Sequence, residues 1–99
     1  MISKKFTPKR TICKVTLTLP KSWAKKEVAV AGTFNDWDTS EEKLEKKKGE
    51  WTTTLRLKPE NEYKFKYFID GERWENDDSA DSYVSNEFGT EDSVITIGK

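Results

Sequence analysis

Two of the four tryptophans stand in stretches that do not read as core. Trp37 lies in Asn35-Asp36-Trp37-Asp38, and Trp74 follows Asp70-Gly71-Glu72-Arg73. Both stretches are polar and turn-forming, because short polar side chains bond their own backbone and tolerate unusual dihedrals. A flat ring displayed among polar neighbours can cover the apolar C–H face of a hexose while nearby groups bond its hydroxyl rim. Lys66, on the hairpin that leads to Trp74, offers three rotatable donors for that purpose. Each of these residues alone is ordinary surface.

Other chemistries weigh less. The chain has no histidine. Its one cysteine, Cys13, alternates in phase with Val15, Leu17 and Leu19, which describes a buried inert thiol rather than a nucleophile. Acids are plentiful, but a glycosidase needs two carboxylates flanking a sugar in a shaped cleft, and a domain this small offers shallow grooves. Asp77, Asp78 and Asp81 form a compact acidic cluster. Calcium takes oxygen ligands, yet the spacing is not that of an EF-hand and the loop lacks glycine, so these are read as solvated acids. No cofactor and no metal site are expected.

The elements that must position these residues are strands. Thr11–Leu19 alternates, with Lys14, Thr16 and Thr18 on the wet side. Val28–Ala31 is a second strand, followed by Gly32, where a bulge or a close backbone approach is expected. Glu50–Lys58 carries Trp51, Thr53, Leu55 and Leu57 in phase, which puts Trp51 at the core or its margin. In Glu62–Ile69, parity sends Tyr63, Phe65, Tyr67 and Ile69 to the core and Lys64, Lys66 and Phe68 to the other face. Asp70-Gly71 signals a hairpin, Tyr83-Val84 a short edge strand, and Ser93–Ile97 a closing strand. Trp23 is expected to pack over one end, and Lys46-Lys47-Lys48-Gly49 to form a solvated hairpin tip. Short strands between regular turn signals argue an all-β sandwich.

Ninety-nine residues make one domain with one modest core. Charged residues reach 36%, but net charge is zero and aromatics, at 12%, cluster in alternating runs, which argues against disorder. Residues 1–30 hold eight Lys/Arg against one acid, whereas residues 70–99 hold nine acids against two bases. That asymmetry is read as two ends that neutralise each other, not as a nucleic-acid surface, since no excess charge remains to drive phosphate binding. Residues 1–10 are read as a flexible basic lead-in and residues 11–99 as the domain. No signal peptide or membrane-spanning run is evident, and one cysteine permits no internal disulfide, so a cytoplasmic location is expected.

Three blocks carry a family resemblance. Gly32-Thr33-Phe34-Asn35-Asp36-Trp37 resembles the Gly-x-Phe-Asn-x-Trp signature of glycogen-binding domains, the family 48 carbohydrate-binding modules. Tyr63 to Asp77 resembles the family's Tyr-x-Phe-x-Tyr-x-x-Asp-Gly-x-x-Trp run, and Phe88 to Ile95 is similar to its closing segment. Such modules occur in β subunits of AMP-activated protein kinase, beside isoamylase and branching-enzyme catalytic domains, and as short bacterial proteins. The resemblance implies an immunoglobulin-like, early-set β-sandwich. It assigns Trp37, Lys66 and Trp74 to α-glucan binding, and adds Phe88 as the apolar residue against the glucan and Thr90 as a hydroxyl contact. Asp92 stands where the family typically has asparagine; a carboxylate only accepts, where an amide also donates. Asp78 stands where many bacterial relatives carry an aromatic.

The resulting expectation is a non-catalytic module that binds glycogen-like or starch-like α-glucans and acts in targeting, with a glycogen-metabolising enzyme or other protein as an admissible partner. No nucleic-acid or membrane partner is expected. The rival reading is an early-set domain serving protein interaction or structure without useful sugar affinity.

Overall fold

The computed structural model describes residues 2–98, and its elements are all strands apart from one 3-10 turn at Lys21–Trp23. In chain order the strands are β1 (Ile2–Phe6), β2 (Cys13–Pro20), β3 (Val28–Gly32), β4 (Glu45–Lys47), β5 (Glu50–Leu57), β6 (Asn61–Ile69), β7 (Arg73–Glu75), β8 (Ser82–Ser85) and β9 (Glu91–Ile97). They form two antiparallel sheets, ordered β1-β2-β5-β4 and β3-β6-β9-β8, with β7 also paired to β6. This is the sandwich that the alternating runs call for.

Strand parity fixes what each sheet buries. Cys13, Val15, Leu17 and Leu19 of β2 join Trp51, Leu55 and Leu57 of β5 on one inner face. Val28, Val30, Phe65, Tyr67, Ile69, Ile95 and Ile97 form the other. Fully burying such an aliphatic or aromatic side chain is worth about 1.5–3 kcal/mol, so this shared layer holds the sheets together. Trp23 closes one end, its ring set edge-on to Tyr67 at 6.3 Å between centroids. On the outer face of the first sheet, Thr16 faces Thr54 and Thr18 faces Thr52, hydroxyl to hydroxyl.

Two expectations are corrected, and one further segment is better ordered than its composition suggests. The lead-in over residues 1–10 is not loose: Ile2–Phe6 is β1, paired along its length with β2, while Met1 lies outside the described residues. Its Ser-Lys-Lys centre hides the strand, because Lys4 points off the sheet to bond Asp81 and the carbonyl of Thr96 rather than to fill the core. The stretch before the lysine tip is also more ordered than its polarity suggests. Leu44 donates its N–H to Val28 of one sheet, and Glu45–Lys47 then pairs with β5 of the other, so this segment bridges the two sheets. Finally, Asp77 is not solvated but wholly buried. It accepts hydrogen bonds from Tyr67 Oη at 2.6 Å and from the Ser79 N–H at 2.7 Å. Burial, reinforced by the Asp77 charge, pushes the Tyr67 phenol well above its ordinary value and keeps it a donor.

One ion pair joins the basic start to the acidic end: Lys4 with Asp81. Asp70 instead takes the backbone N–H groups of Lys25, Lys26 and Glu27, not their side-chain charges.

Candidate functional site

The candidate residues meet on the outer face of the second sheet, where β6 presents Lys64, Lys66 and Phe68. An open groove of about 910 Å³ lies there. Its lining includes Trp37, Lys66, Trp74, Phe88, Thr90 and Asp92, every residue singled out from the sequence. Thr33, Lys64, Asn86 and Glu87 also line it.

Trp37 is delivered by a loop with little freedom. Gly32 ends β3 so close to β6 that a Cβ there would come within 2.2 Å of the Lys64 carbonyl oxygen. Asn35 is buried in the turn that follows. Its Oδ1 accepts the Gly32 N–H at 3.0 Å, and its Nδ2 donates to the Val30 carbonyl at 3.1 Å. The N–H groups of Asn35 and Trp37 both reach back to the Gly32 carbonyl. The turn then carries Asp36 at φ 52° and Trp37 at φ 60°. A left-handed backbone is costly for a bulky residue, by about 1–2 kcal/mol. The loop holds it there, and the ring is left 36% exposed over the groove.

Trp74 is delivered by the β6–β7 hairpin. Asp70 and Gly71 take positive φ at the turn, and Phe68 pairs directly with Trp74 across the strands. Their rings lie 4.8 Å apart at 38°, so Phe68 backs the Trp74 ring and leaves its other side facing out. Asp70 anchors the hairpin to the 25–27 segment. Hydrogen bonds from the N–H groups of Lys25 and Lys26, then Glu27, hold its carboxyl below the usual carboxylate range. Phe68 is a residue that sequence reasoning passed over as a site element. Parity placed it on the correct face, but its contact with Trp74 depends on the hairpin register.

The third wall is the loop 86–90. Phe88 projects from it, 82% exposed. Lys66 Nζ donates to Thr90 Oγ1 at 3.3 Å, tying this loop to β6. Asp92 is 8% exposed and accepts from Asn86 Nδ2 at 3.0 Å. Two tryptophan rings, one projecting phenyl ring, an ammonium, a hydroxyl and a carboxylate therefore surround one shallow channel. That set can stack on sugar faces and exchange hydrogen bonds with hydroxyls that both donate and accept. Among the described residues no group of three or more acidic or thiol side chains is placed to hold a metal ion, and no helix is long and apolar enough to cross a membrane.

Residues 14–99 match the family described as the glycogen recognition site of AMP-activated protein kinase. The chain belongs to this family. It is 36% identical over 74 residues to the beta-2 subunit of 5'-AMP-activated protein kinase from mouse, and equally so to those of rat and human. The matched segment covers 75% of this chain but 26% of each relative, so the chain spans about a quarter of these proteins. The glycogen-recognition module is therefore the unit of comparison, and it is an all-β, immunoglobulin-like sandwich here.

Proposed function

We propose that this module binds α-glucan in the groove on the outer face of β6, without catalysing its turnover. Trp37 and Trp74 supply the stacking planes, Phe88 the apolar wedge, and Lys66, Thr90 and Asp92 the polar contacts. The observation that carries the reading is the convergence of both loop tryptophans and the Lys66–Thr90 pair on one groove, in a chain of the glycogen-recognition family. An open sheet face with pre-set rings suits a long polymer that passes across it, and it suits targeting of a partner to that polymer. That the beta-2 relatives are kinase subunits supports a protein partner for the module.

Each hydroxyl bond mostly replaces one already made to water, so the rings carry most of the affinity. Trp37→Ala and Trp74→Ala should each abolish glycogen co-sedimentation and maltooligosaccharide-induced amide shifts. Thr90→Ala should only weaken both. Full binding by a folded Trp37→Ala, Trp74→Ala double variant would refute the reading and leave the protein-interaction role standing. Reducing-end release from glycogen, in proportion to protein added, would overturn its non-catalytic part.

A further inference from the structure

We propose that Asn86 is the positioning residue of the groove, and that its pairing with the Asp92 carboxylate presets the loop bearing Phe88 and Thr90 for the sugar. The proposal rests on the glucan reading and deepens it. Asn86 is half-buried and fully engaged. Its Oδ1 accepts the N–H groups of Phe88 at 2.9 Å and Thr90 at 3.2 Å. Its Nδ2 donates to Thr90 Oγ1 at 2.8 Å and to Asp92 Oδ1 at 3.0 Å. The amide orientation follows from chemistry: backbone N–H groups only donate, so the oxygen must face them and the NH2 must face the carboxylate. Two further backbone bonds close the loop, from Asn86 N–H to the Thr90 carbonyl at 2.9 Å and from Gly89 N–H to the Asn86 carbonyl at 3.3 Å.

This arrangement explains how a carboxylate fits at position 92. A carboxylate needs a donor, and Asn86 aims one at it, from the same side chain that folds the Phe88 loop. Asp92 therefore serves partly as an anchor for the loop. Phe88 itself lends the loop little hold, being the most exposed large apolar residue among the described residues. Without the hub the five-residue loop is free to sample other shapes, and ordering it on binding would cost affinity.

The test is a charge swap read by two measurements. Asn86→Asp keeps the acceptor for Phe88 and Thr90 but sets a carboxylate oxygen against Asp92. It should weaken maltooligosaccharide affinity by about tenfold or more, since a hydrogen bond to a charged group is lost and repulsion replaces it. It should also speed hydrogen exchange of the Phe88 and Thr90 amides, with the thermal midpoint little changed. Asn86→Asp with Asp92→Asn restores a donor facing an acceptor, and should recover the protection of the Phe88 and Thr90 amides. Wild-type affinity and protection in Asn86→Asp would overturn the proposal, as would a folded swap variant that does not recover the amide protection. Should the wild-type chain bind no glucan, the function proposed above fails, while the exchange arm still decides the role of Asn86 in the loop.

Discussion

The two loops that flank the groove are each folded around one asparagine, yet they stand on different footings. In the loop after β3, Asn35 is buried and bonds the backbone of the strand itself, at Gly32 and Val30. In the loop after β8, Asn86 is half-buried and bonds only its own loop and Asp92. The first loop is continuous with the core, and the second is attached to its surface. Changes at the first hub should therefore appear as lost folding stability, and changes at the second as lost binding by a folded domain.

The largest expected effect breaks the first loop at its root. Gly32→Ala puts a Cβ into the Lys64 carbonyl and against Phe65 Cβ, at 2.2 and 2.9 Å. Backbone cannot yield as a flexible side chain can. A loss of about 3 kcal/mol or more is expected, at or beyond the upper end of overpacking costs. Urea unfolding should show it as a lower midpoint, and an unchanged midpoint would mean that β3 can move away from β6.

Next in size is the direct contrast of the hubs. Asn35→Ala strands the Gly32 N–H and the Val30 carbonyl without partners in a buried turn. Each stranded group costs about 1–3 kcal/mol, so a total of at least about 2 kcal/mol is expected. Asn86→Ala frees the Phe88 and Thr90 groups of an exposed loop and takes one donor from Asp92 at the groove wall, and its stability cost should fall below that of Asn35→Ala. Equal thermal shifts for the two variants would erase the distinction between a core-rooted and a surface loop.

The same contrast decides what could be read from sequence. Strands β2, β5 and β6 announce themselves by alternation, and the loop tryptophans by their polar surroundings. The groove could be assembled from the family signature because its residues sit at loop and hairpin positions that pattern identifies. The hubs were hidden: Asn35, beside Asp36, reads as turn chemistry whether or not its side chain is buried, and Asn86, between Ser85 and Glu87, stands in a polar stretch with no period of its own. Asp77 was hidden for a related reason: it lies in an acidic run, and only the fold reveals that Tyr67 and Ser93 enclose it. β1 and β4 were missed because edge strands carry charges along their length, which removes the period of two.

The smallest expected effect concerns the backbone beneath the first tryptophan. Trp37 sits at φ 60°, where a side chain is strained and glycine is not. Comparing Trp37→Ala with Trp37→Gly removes the ring in both cases, so lost packing and lost sugar contact cancel between them. What remains is the strain of a Cβ in the left-handed region against the greater freedom of glycine in the unfolded chain. At an ordinary position glycine is the less stable by about 0.5–1 kcal/mol. Here the strain of about 1–2 kcal/mol should outweigh that difference, leaving Trp37→Gly the more stable by up to about 1 kcal/mol. For a domain of this length that is a rise in thermal midpoint of at most roughly 4–8 °C. A lower midpoint for the glycine variant would mean that the turn relaxes once the ring is gone. The ring itself, rather than Gly32 and Asn35, would then be what holds the backbone in its left-handed shape, and the first loop would prove less firmly rooted than its hydrogen bonds suggest.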